Sequence, residues 1–214
     1  MERDDWIITR EDPILVTGAS GFIGVRVVES LMECGFRHLR CFVRPSGRSG
    51  KLEAIARRGG GGDACIDIVT GNLLSRDDCA AATRDVAVIY HLAAGRGEKL
   101  VADAFMNSVL TTRNLLEASL CHRSLKRFVN ISSFAVYTNQ EKPQRRLLDE
   151  SCPVETHPGK RGDAYSFAKV KQDEIVTEYG RKHGIPYVIV NGAVAVDAGR
   201  MSAARAGQIL RPPR

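Results

Sequence analysis

The sequence predicts an α/β domain in which helices cover both faces of a doubly wound parallel sheet, a three-layer α/β/α arrangement. Apolar runs of strand length alternate with helix-length periodic segments between Ile14 and Val190. The runs are continuously apolar, which is typical of strands buried on both faces of a parallel sheet. A glycine-rich turn joins the first run to the first periodic segment. Together these observations favour the doubly wound α/β class.

The elements follow in order from this alternation. The apolar runs predict strands at Ile14–Thr17, Leu39–Val43, Cys65–Val69, Val86–His91, Arg127–Ser132 and Tyr187–Val190. The periodic segments between them predict helices at Phe22–Cys34, Leu52–Arg58, Arg76–Thr83, Ala102–Cys121 and Ala164–His183. One polar stretch, Thr138–Asp163, is long for a connection inside a compact domain, and loops of this kind are often functional.

Composition indicates a soluble globular protein. The 214 residues are 43% hydrophobic and 26% charged, which suits one domain with one sizeable core. We expect one α/β domain over residues 1–196 and a basic, mobile tail over residues 197–214. No apolar run is long enough for a membrane span, and the charged N-terminus lacks the apolar core of a secretory signal.

Cysteine and histidine spacing argues against a metal site. The six cysteines occur singly, without a CxxC pair, which favours reduced thiols and a cytoplasmic location. His91 falls in a predicted strand and is interpreted as structural, and the other histidines lack metal-ligand spacing.

The net charge of +6 does not indicate nucleic-acid binding. Four arginines and no acidic residues lie in the last fifteen residues, so the balance without those four arginines is +2. No nucleic-acid reader motif accompanies the charge. We therefore expect neither a nucleic-acid nor a membrane partner.

The glycine-rich turn predicts a dinucleotide site. Gly18, Gly21 and Gly24 follow the first strand and open the first helix. The first glycine permits a tight turn, the second lets the backbone approach a pyrophosphate, and the third lets helix and strand pack closely. Free N–H groups at the helix start favour the phosphates. The alternative is a strand–helix turn without a ligand.

These and later stretches resemble a known family. "TGASGFIG" resembles the nucleotide-binding loop of the short-chain dehydrogenase/reductase superfamily, specifically its extended branch of epimerases, dehydratases and reductases. "GNLLSRDD" resembles the segment beside adenine, with Asn72 in place of an acid. "VIYHLAA" resembles the fourth strand, which passes the cofactor ribose, and "NSVLTTRNLLEA" resembles the helix that follows. The resemblance extends from about Pro13 to Val190 and implies a Rossmann fold.

The end of the second strand predicts a preference for NADP, with NAD also possible. NAD-preferring relatives place an acid there to hold the ribose hydroxyls. This chain reads "CFVRPSGRSGK" and presents Arg44, followed by Arg48 and Lys51. A guanidinium suits a 2′-phosphate. The alternative interpretation is a solvated basic turn.

"YSFAK" predicts an acid/base pair. Tyr165 and Lys169 are four residues apart on a predicted helix, so their side chains share one face. A nearby ammonium favours the phenolate and lowers the pKa of a tyrosine, which is ordinarily about 10. The pair can therefore carry acid/base chemistry, although the same spacing also occurs on solvated helix faces.

The resemblance assigns roles to these residues. It implies that Tyr165 is the general acid/base, that Lys169 lowers the pKa of Tyr165 and holds the nicotinamide ribose, and that Ser133 of "ISSFAVY" orients the substrate oxygen. Hydride then passes between the substrate carbon and nicotinamide C4. The expected cofactor-binding residues are Gly18, Ser20, Gly21, Phe22, Ile23, Gly24, Arg44, Asn72, Leu73, Leu92, Ala93, Ala94, Tyr165 and Lys169.

The resemblance weakens after the sixth strand. Asn191 and Gly192 stand where arginine and proline are usual, and we expect the C-terminal substrate domain of extended members to be lacking. Three functions stay open, the first two with a small-molecule substrate: an oxidoreductase or epimerase/dehydratase acting on a nucleotide sugar or related alcohol or ketone; a reductase of small ketones or steroid-like alcohols; or a truncated, non-catalytic NADP-binding module. Because relatives pair through helices that correspond to Ala102–Cys121 and Ala164–His183, a homodimer is also expected.

Overall fold

A six-stranded sheet forms the centre of the protein, for which we describe a computed structural model. The structure describes residues 7–59, 65–95, 97–138, 148, 152–190, 196–197 and 200–201. The sheet has the order β3-β2-β1-β4-β5-β6. Its strands are β1 (Ile14–Thr17), β2 (His38–Val43), β3 (Cys65–Thr70), β4 (Val88–His91), β5 (Arg127–Ile131) and β6 (Tyr187–Val190).

The strand order confirms the predicted doubly wound sheet. β1 pairs in parallel with β2 on one side, where Ile14 aligns with Leu39, and with β4 on the other, where Ile14 aligns with Val88. The chain thus builds the sheet outward from β1 to β3 and then crosses to β4. In open parallel sheets a ligand binds at the carboxyl ends of the two strands where the order reverses, here β1 and β4.

Six α-helices accompany the strands in the described parts of the chain. They are α1 (Phe22–Glu33), α2 (Gly50–Gly59), α3 (Arg76–Thr83), α4 (Val101–Ala104), α5 (Thr111–Leu120) and α6 (Ala164–His183). A π-helical segment, Phe105–Leu110, joins α4 to α5. Short 3₁₀ turns lie at Phe134–Val136 and Pro158–Arg161.

The chain divides into two compact units. The first comprises Met1–Ala93 and Asn114–Val129, and the second comprises Ala94–Arg113 and Asn130–Arg214. In the first unit, β1 is entirely buried, and its side chains pack with those of α1 and β2 in one apolar core. In the second unit, Ala104 of α4 packs against Ala164 and Ala168 of α6. These small residues let α4 lie close to the start of α6.

Differences from the predicted elements have local causes. β4 begins at Val88 rather than Val86, because Asp85 adopts a left-handed conformation with φ of 58° and the chain turns there. The predicted helix at Ala102–Cys121 is interrupted by the π-helical segment Phe105–Leu110, which hydrophobic periodicity does not reveal. Elsewhere the predicted bounds differ by one or two residues, the normal uncertainty of helix and strand ends.

Two findings concern the remaining sequence predictions. Among the residues placed by the structure, no helix is both long and apolar enough to cross a membrane. Val196–Asp197 and Arg200–Met201 pair as a short antiparallel ladder. Residues 202–214 lie outside the described residues, so the tail over 197–214 stays a prediction.

Candidate active site

The first glycine of the loop lies against the end of β4. Gly18 has φ of 65°, a left-handed conformation that favours glycine. A Cβ on Gly18 would lie 2.9 Å from the backbone nitrogen of Ala93. The Ala93 N–H also donates to the Thr17 hydroxyl at 3.3 Å. The glycine loop therefore lies at the carboxyl ends of β1 and β4, where the sheet order predicts a ligand.

The other two glycines shape the start of α1. A Cβ on Gly24 would lie 2.2 Å from the carbonyl oxygen of Gly18, so only glycine fits there. Gly21 is the N-cap residue of α1 and supplies no side-chain cap, and the first turn holds no acidic residue. The N–H groups at this helix end thus stay available to an anion. Phe22 and Ile23 are exposed beside them.

A basic turn lies next to this loop within the same unit. The turn closes where the Gly47 N–H donates to the Arg44 carbonyl oxygen at 2.7 Å. A Cβ on Gly47 would lie 3.3 Å from the Ser20 hydroxyl oxygen, so the turn adjoins the glycine loop. Arg44 is exposed just after β2. The structure thus brings Ser20 close to the turn that carries Arg44.

The turn after β3 holds Asn72 and Leu73. The Asn72 side-chain oxygen accepts from the Leu74 N–H at 3.0 Å, which leaves the exposed amide NH₂ as a donor. Leu73 is buried, and its carbonyl oxygen accepts from the Asn114 side chain at 3.0 Å. Asn114 thus fixes the turn.

The residues after β4 are half-buried. Leu92 and Ala93 belong to the first unit, and Ala94 begins the second. His91, at the end of β4, is fully buried; its Nδ1 lies 2.8 Å from the Thr17 hydroxyl. Its ring also packs against Phe128. These contacts agree with a structural role for His91.

In the second unit, Asp163 fixes the position of Tyr165. Asp163 is the N-cap of α6, and its carboxylate accepts from the backbone N–H groups of Tyr165 at 3.2 Å and Ser166 at 3.1 Å. A hydrogen bond from the Ser166 hydroxyl and these backbone bonds lower the pKa of Asp163. Tyr165 is half-buried in the first turn of the helix.

Lys169 lies one helical turn after Tyr165 and is buried, with 4% of its surface exposed. Its Nζ donates to the Ile131 carbonyl oxygen at 2.7 Å and to the Gln172 side-chain oxygen at 2.8 Å. An ammonium has three protons, so these bonds leave one proton for a further acceptor. Burial lowers the pKa of Lys169 to about 8, and the negative charge of Asp173 opposes that shift.

Two neighbours of Lys169 were missed by sequence reasoning. Gln172 is fully buried; it accepts from Lys169 and donates to the Thr112 hydroxyl at 2.8 Å. Thr112 in turn donates to the Ser108 carbonyl oxygen at 2.6 Å, inside the π-helical segment. Asp173 lies one turn after Lys169. The available signal was spacing, because residues three and four positions after Lys169 share its helix face.

Ser133 begins the 3₁₀ turn after β5. Its hydroxyl accepts from the Ala135 N–H at 3.2 Å and thereby caps the turn. The Arg161 guanidinium donates to the carbonyl oxygens of Ala135 at 2.9 Å and Tyr137 at 3.0 Å. Ser133 is half-buried, and the turn fixes the position of its hydroxyl oxygen.

The sequence-predicted residues therefore form two sets, one in each unit. The first unit brings the glycine loop together with Arg44, Leu92 and Ala93, and the second holds Ala94 and the catalytic candidates Ser133, Tyr165 and Lys169. Within the described ranges, no group of three metal-ligating side chains occurs. Much of the Thr138–Asp163 segment, residues 139–147 and 149–151, lies outside the described residues.

Comparison with known proteins identifies the family. Residues 14–202 match the family model described as the NAD dependent epimerase/dehydratase family. The chain belongs to this family. The match confirms the family resemblance that the sequence indicated.

Two reductases are similar to the chain in sequence. It is 29% identical over 213 residues to a putative dihydroflavonol 4-reductase of Synechocystis, covering 98% of this chain and 57% of that protein. It is 28% identical over 179 residues to cinnamoyl-CoA reductase 1 of Oryza sativa, covering 83% and 51%. The chain thus spans little more than half the length of these relatives.

A solved structure shares the fold. UDP-glucuronic acid 4-epimerase from Bacillus cereus, in complex with UDP-glucuronic acid and NAD, matches with a TM-score of 0.66 at 24% identity. The match covers 84% of this chain and 55% of that one. At this identity the match shows the fold alone.

Proposed function

We propose that the protein is an NADP(H)-dependent reductase that interconverts a carbonyl compound and its alcohol. Bound NADP(H) supplies or accepts the hydride. Tyr165 donates a proton to the carbonyl oxygen during reduction and removes it during oxidation. Lys169 stabilises the tyrosinate with its charge and directs its remaining N–H at the ribose, and Ser133 donates a hydrogen bond to the substrate oxygen.

One observation carries the proposal: a lysine ammonium is held inside the second unit, one helical turn from a half-buried tyrosine. Lys169 is 4% exposed and bound to Ile131 and Gln172, which is a costly arrangement for a structural lysine. Perturbed ionisable groups of this kind concentrate at functional sites. The tight turn at Gly18 and the close packing of Gly24 against it have the form of a dinucleotide-binding loop and support the cofactor half of the proposal.

For the substrate, we favour a small aromatic or alicyclic ketone or aldehyde over a nucleotide sugar. The two reductases described above resemble the chain at 28% and 29% identity. Epimerisation or dehydration of a nucleotide sugar is the second candidate, favoured by the family model. The test is oxidation of NADPH by a panel of ketones and aldehydes, beside conversion of UDP-sugars with NAD. Cofactor binding without any turnover would instead indicate a non-catalytic module.

Changing Arg44 to Glu is expected to reverse the cofactor preference. The guanidinium that would bind the 2′-phosphate is replaced by a carboxylate that repels it and accepts from ribose hydroxyls. We expect NADPH affinity to fall roughly 10- to 100-fold while NADH affinity holds or rises. Isothermal titration calorimetry with NADPH and with NADH measures the two affinities. Arg58→Glu, on the exposed surface of α2, is the matched control, and equal NADPH binding by both variants would refute the assignment.

The activity should decline as pH rises through about 8. Lys169 carries its charge below its pKa of about 8 and loses it above, because burial lowers the pKa from the ordinary 10.5. A tyrosine beside a neutral lysine is harder to ionise. The kcat profile between pH 6 and pH 10 measures the effect, with circular dichroism over the same range as the control for unfolding. A rate that stays constant to pH 10 would contradict the role given to Lys169.

We also propose that the protein forms a homodimer. Four apolar side chains of α4 and its surroundings, Leu100, Val101, Phe105 and Met106, are 41% to 63% exposed. Two other apolar residues of the helices expected at the interface, Val109 and Val176, are buried within the chain. Sedimentation velocity should give a dimer for the native chain and a monomer for Phe105→Glu. A monomeric native chain at micromolar concentration would refute this proposal.

A further inference from the structure

Two side chains of α6 hold three successive residues at the end of β5. Asp173 accepts from the Asn130 side-chain amide at 2.8 Å and from the Ser132 hydroxyl. Between them in sequence, the Ile131 carbonyl oxygen accepts from Lys169. Ser133 follows immediately. The helix that carries the acid/base pair is thus fastened to the strand that leads into Ser133.

We infer that Asp173 is a positioning residue that sets helix α6 against the end of β5 and keeps Lys169 in its charged form. The inference rests on the proposed function, in which Lys169 acts as an ammonium. Asp173 touches neither cofactor nor substrate in this account. It acts through Lys169 and through the residues before Ser133.

The charge of Asp173 matters because the residue is half-buried and only partly shielded by water. Burial raises the pKa of Asp173 to about 6, and the hydrogen bond from Ser132 and the charge of Lys169 oppose that rise. Conversely, the Asp173 carboxylate raises the pKa of Lys169 and so opposes the lowering that burial causes. Near neutral pH each group therefore favours the charged form of the other.

Three other ionisable groups near α6 are either exposed or bonded to backbone carbonyl oxygens. Two uncharged side chains bond Asp173: Asn130 in β5 and Ser132 just after the strand. Asp103 on α4 and Lys160 in the 3₁₀ turn before α6 are exposed. The Arg161 guanidinium binds backbone carbonyls of the turn after β5. Among the described residues of the second unit, Asp173 is thus the carboxylate whose charge acts on the pKa of Lys169.

The experiment is a titration of Lys169 by the carbon-13 shift of its Cε, recorded on the full chain without substrate. Asp173→Asn retains an acceptor for Asn130 and removes the charge, so the midpoint of Lys169 should fall by about one pH unit or more. Asp173→Glu, which keeps a carboxylate, should restore much of the shift. The matched control is Glu174→Gln, which removes an exposed carboxylate paired with Lys171 and should leave the midpoint in place.

An unchanged midpoint in folded Asp173→Asn overturns the inference. If that variant does not fold, the native chain supplies the test: the Lys169 resonance should show a second inflection near pH 6 as Asp173 takes up its proton, and its absence also overturns the inference. Failure of the native chain to oxidise NADPH with any carbonyl compound would count against the proposed function alone, because the titration requires no turnover.

Discussion

Tyr165→Phe is expected to lower kcat by roughly 10²- to 10⁴-fold, the usual contribution of a positioned general acid or base. The substitution removes the hydroxyl that exchanges the proton and keeps the aromatic ring in the first turn of α6. The Asp163 cap binds backbone N–H groups, so the start of the helix should persist. Steady-state kinetics with the best carbonyl substrate measures the loss.

Tyr179→Phe is the matched control for this prediction. Tyr179 lies on the same helix, where its ring packs against His183. Its loss of a hydroxyl should leave kcat within about twofold of the native value, because Tyr179 lies near the other end of α6, away from Tyr165. The dissociation constant for NADPH should change little in Tyr179→Phe. A Tyr165→Phe variant with native kcat would remove the acid/base assignment.

Gly24→Ala is expected to be the most damaging single change in the first unit. Its Cβ would lie 2.2 Å from the Gly18 carbonyl oxygen and 2.7 Å from Ala19 Cα. Because both contacts are backbone atoms, relief requires the loop and α1 to separate. We expect a loss of about 3 kcal/mol or more in the free energy of unfolding, and NADPH binding should weaken with the distorted loop.

Thermal unfolding measures the change, and the midpoint should fall by roughly 6 to 12 °C. Gly50→Ala is the control, since a Cβ there meets nothing within 4 Å. It should alter stability by less than about 0.5 kcal/mol. If the two variants unfold at the same temperature, the close approach of Gly24 to Gly18 is not a property of the folded protein.

Sequence reasoning predicted the sheet well because most strands are short apolar runs, although β3 (CIDIVT) and β5 (RFVNI) also carry polar residues. "ILVT" is fully buried as β1, and the first helix starts at Phe22 as its glycine pattern indicates. The π-helical segment Phe105–Leu110 was not predictable in this way. A π-helix is defined by backbone hydrogen bonds between residues five apart instead of four, and hydrophobic spacing does not reveal that difference.

In the candidate site, too, only the residues marked by a local sequence pattern were predicted. Tyr165 and Lys169 were found because their spacing defines a helix face, and Ser133 because it lies within the family motif "ISSFAVY". Gln172 and Asp173 were missed, although they lie on that face, because their partners are distant in sequence: Gln172 bonds Thr112, and Asp173 bonds Asn130. Such long-range partners follow from the fold and cannot be read from local pattern.

Transfer of deuterium from nicotinamide-deuterated NADPH tests the central claim most directly. Purified chain is incubated with the labelled cofactor and the carbonyl panel, and the alcohols are examined by mass spectrometry. The account predicts deuterium on the carbinol carbon of at least one product, with the label lost in Tyr165→Phe. Tight NADPH binding without deuterium in any product would contradict it and would identify the chain as a binding module.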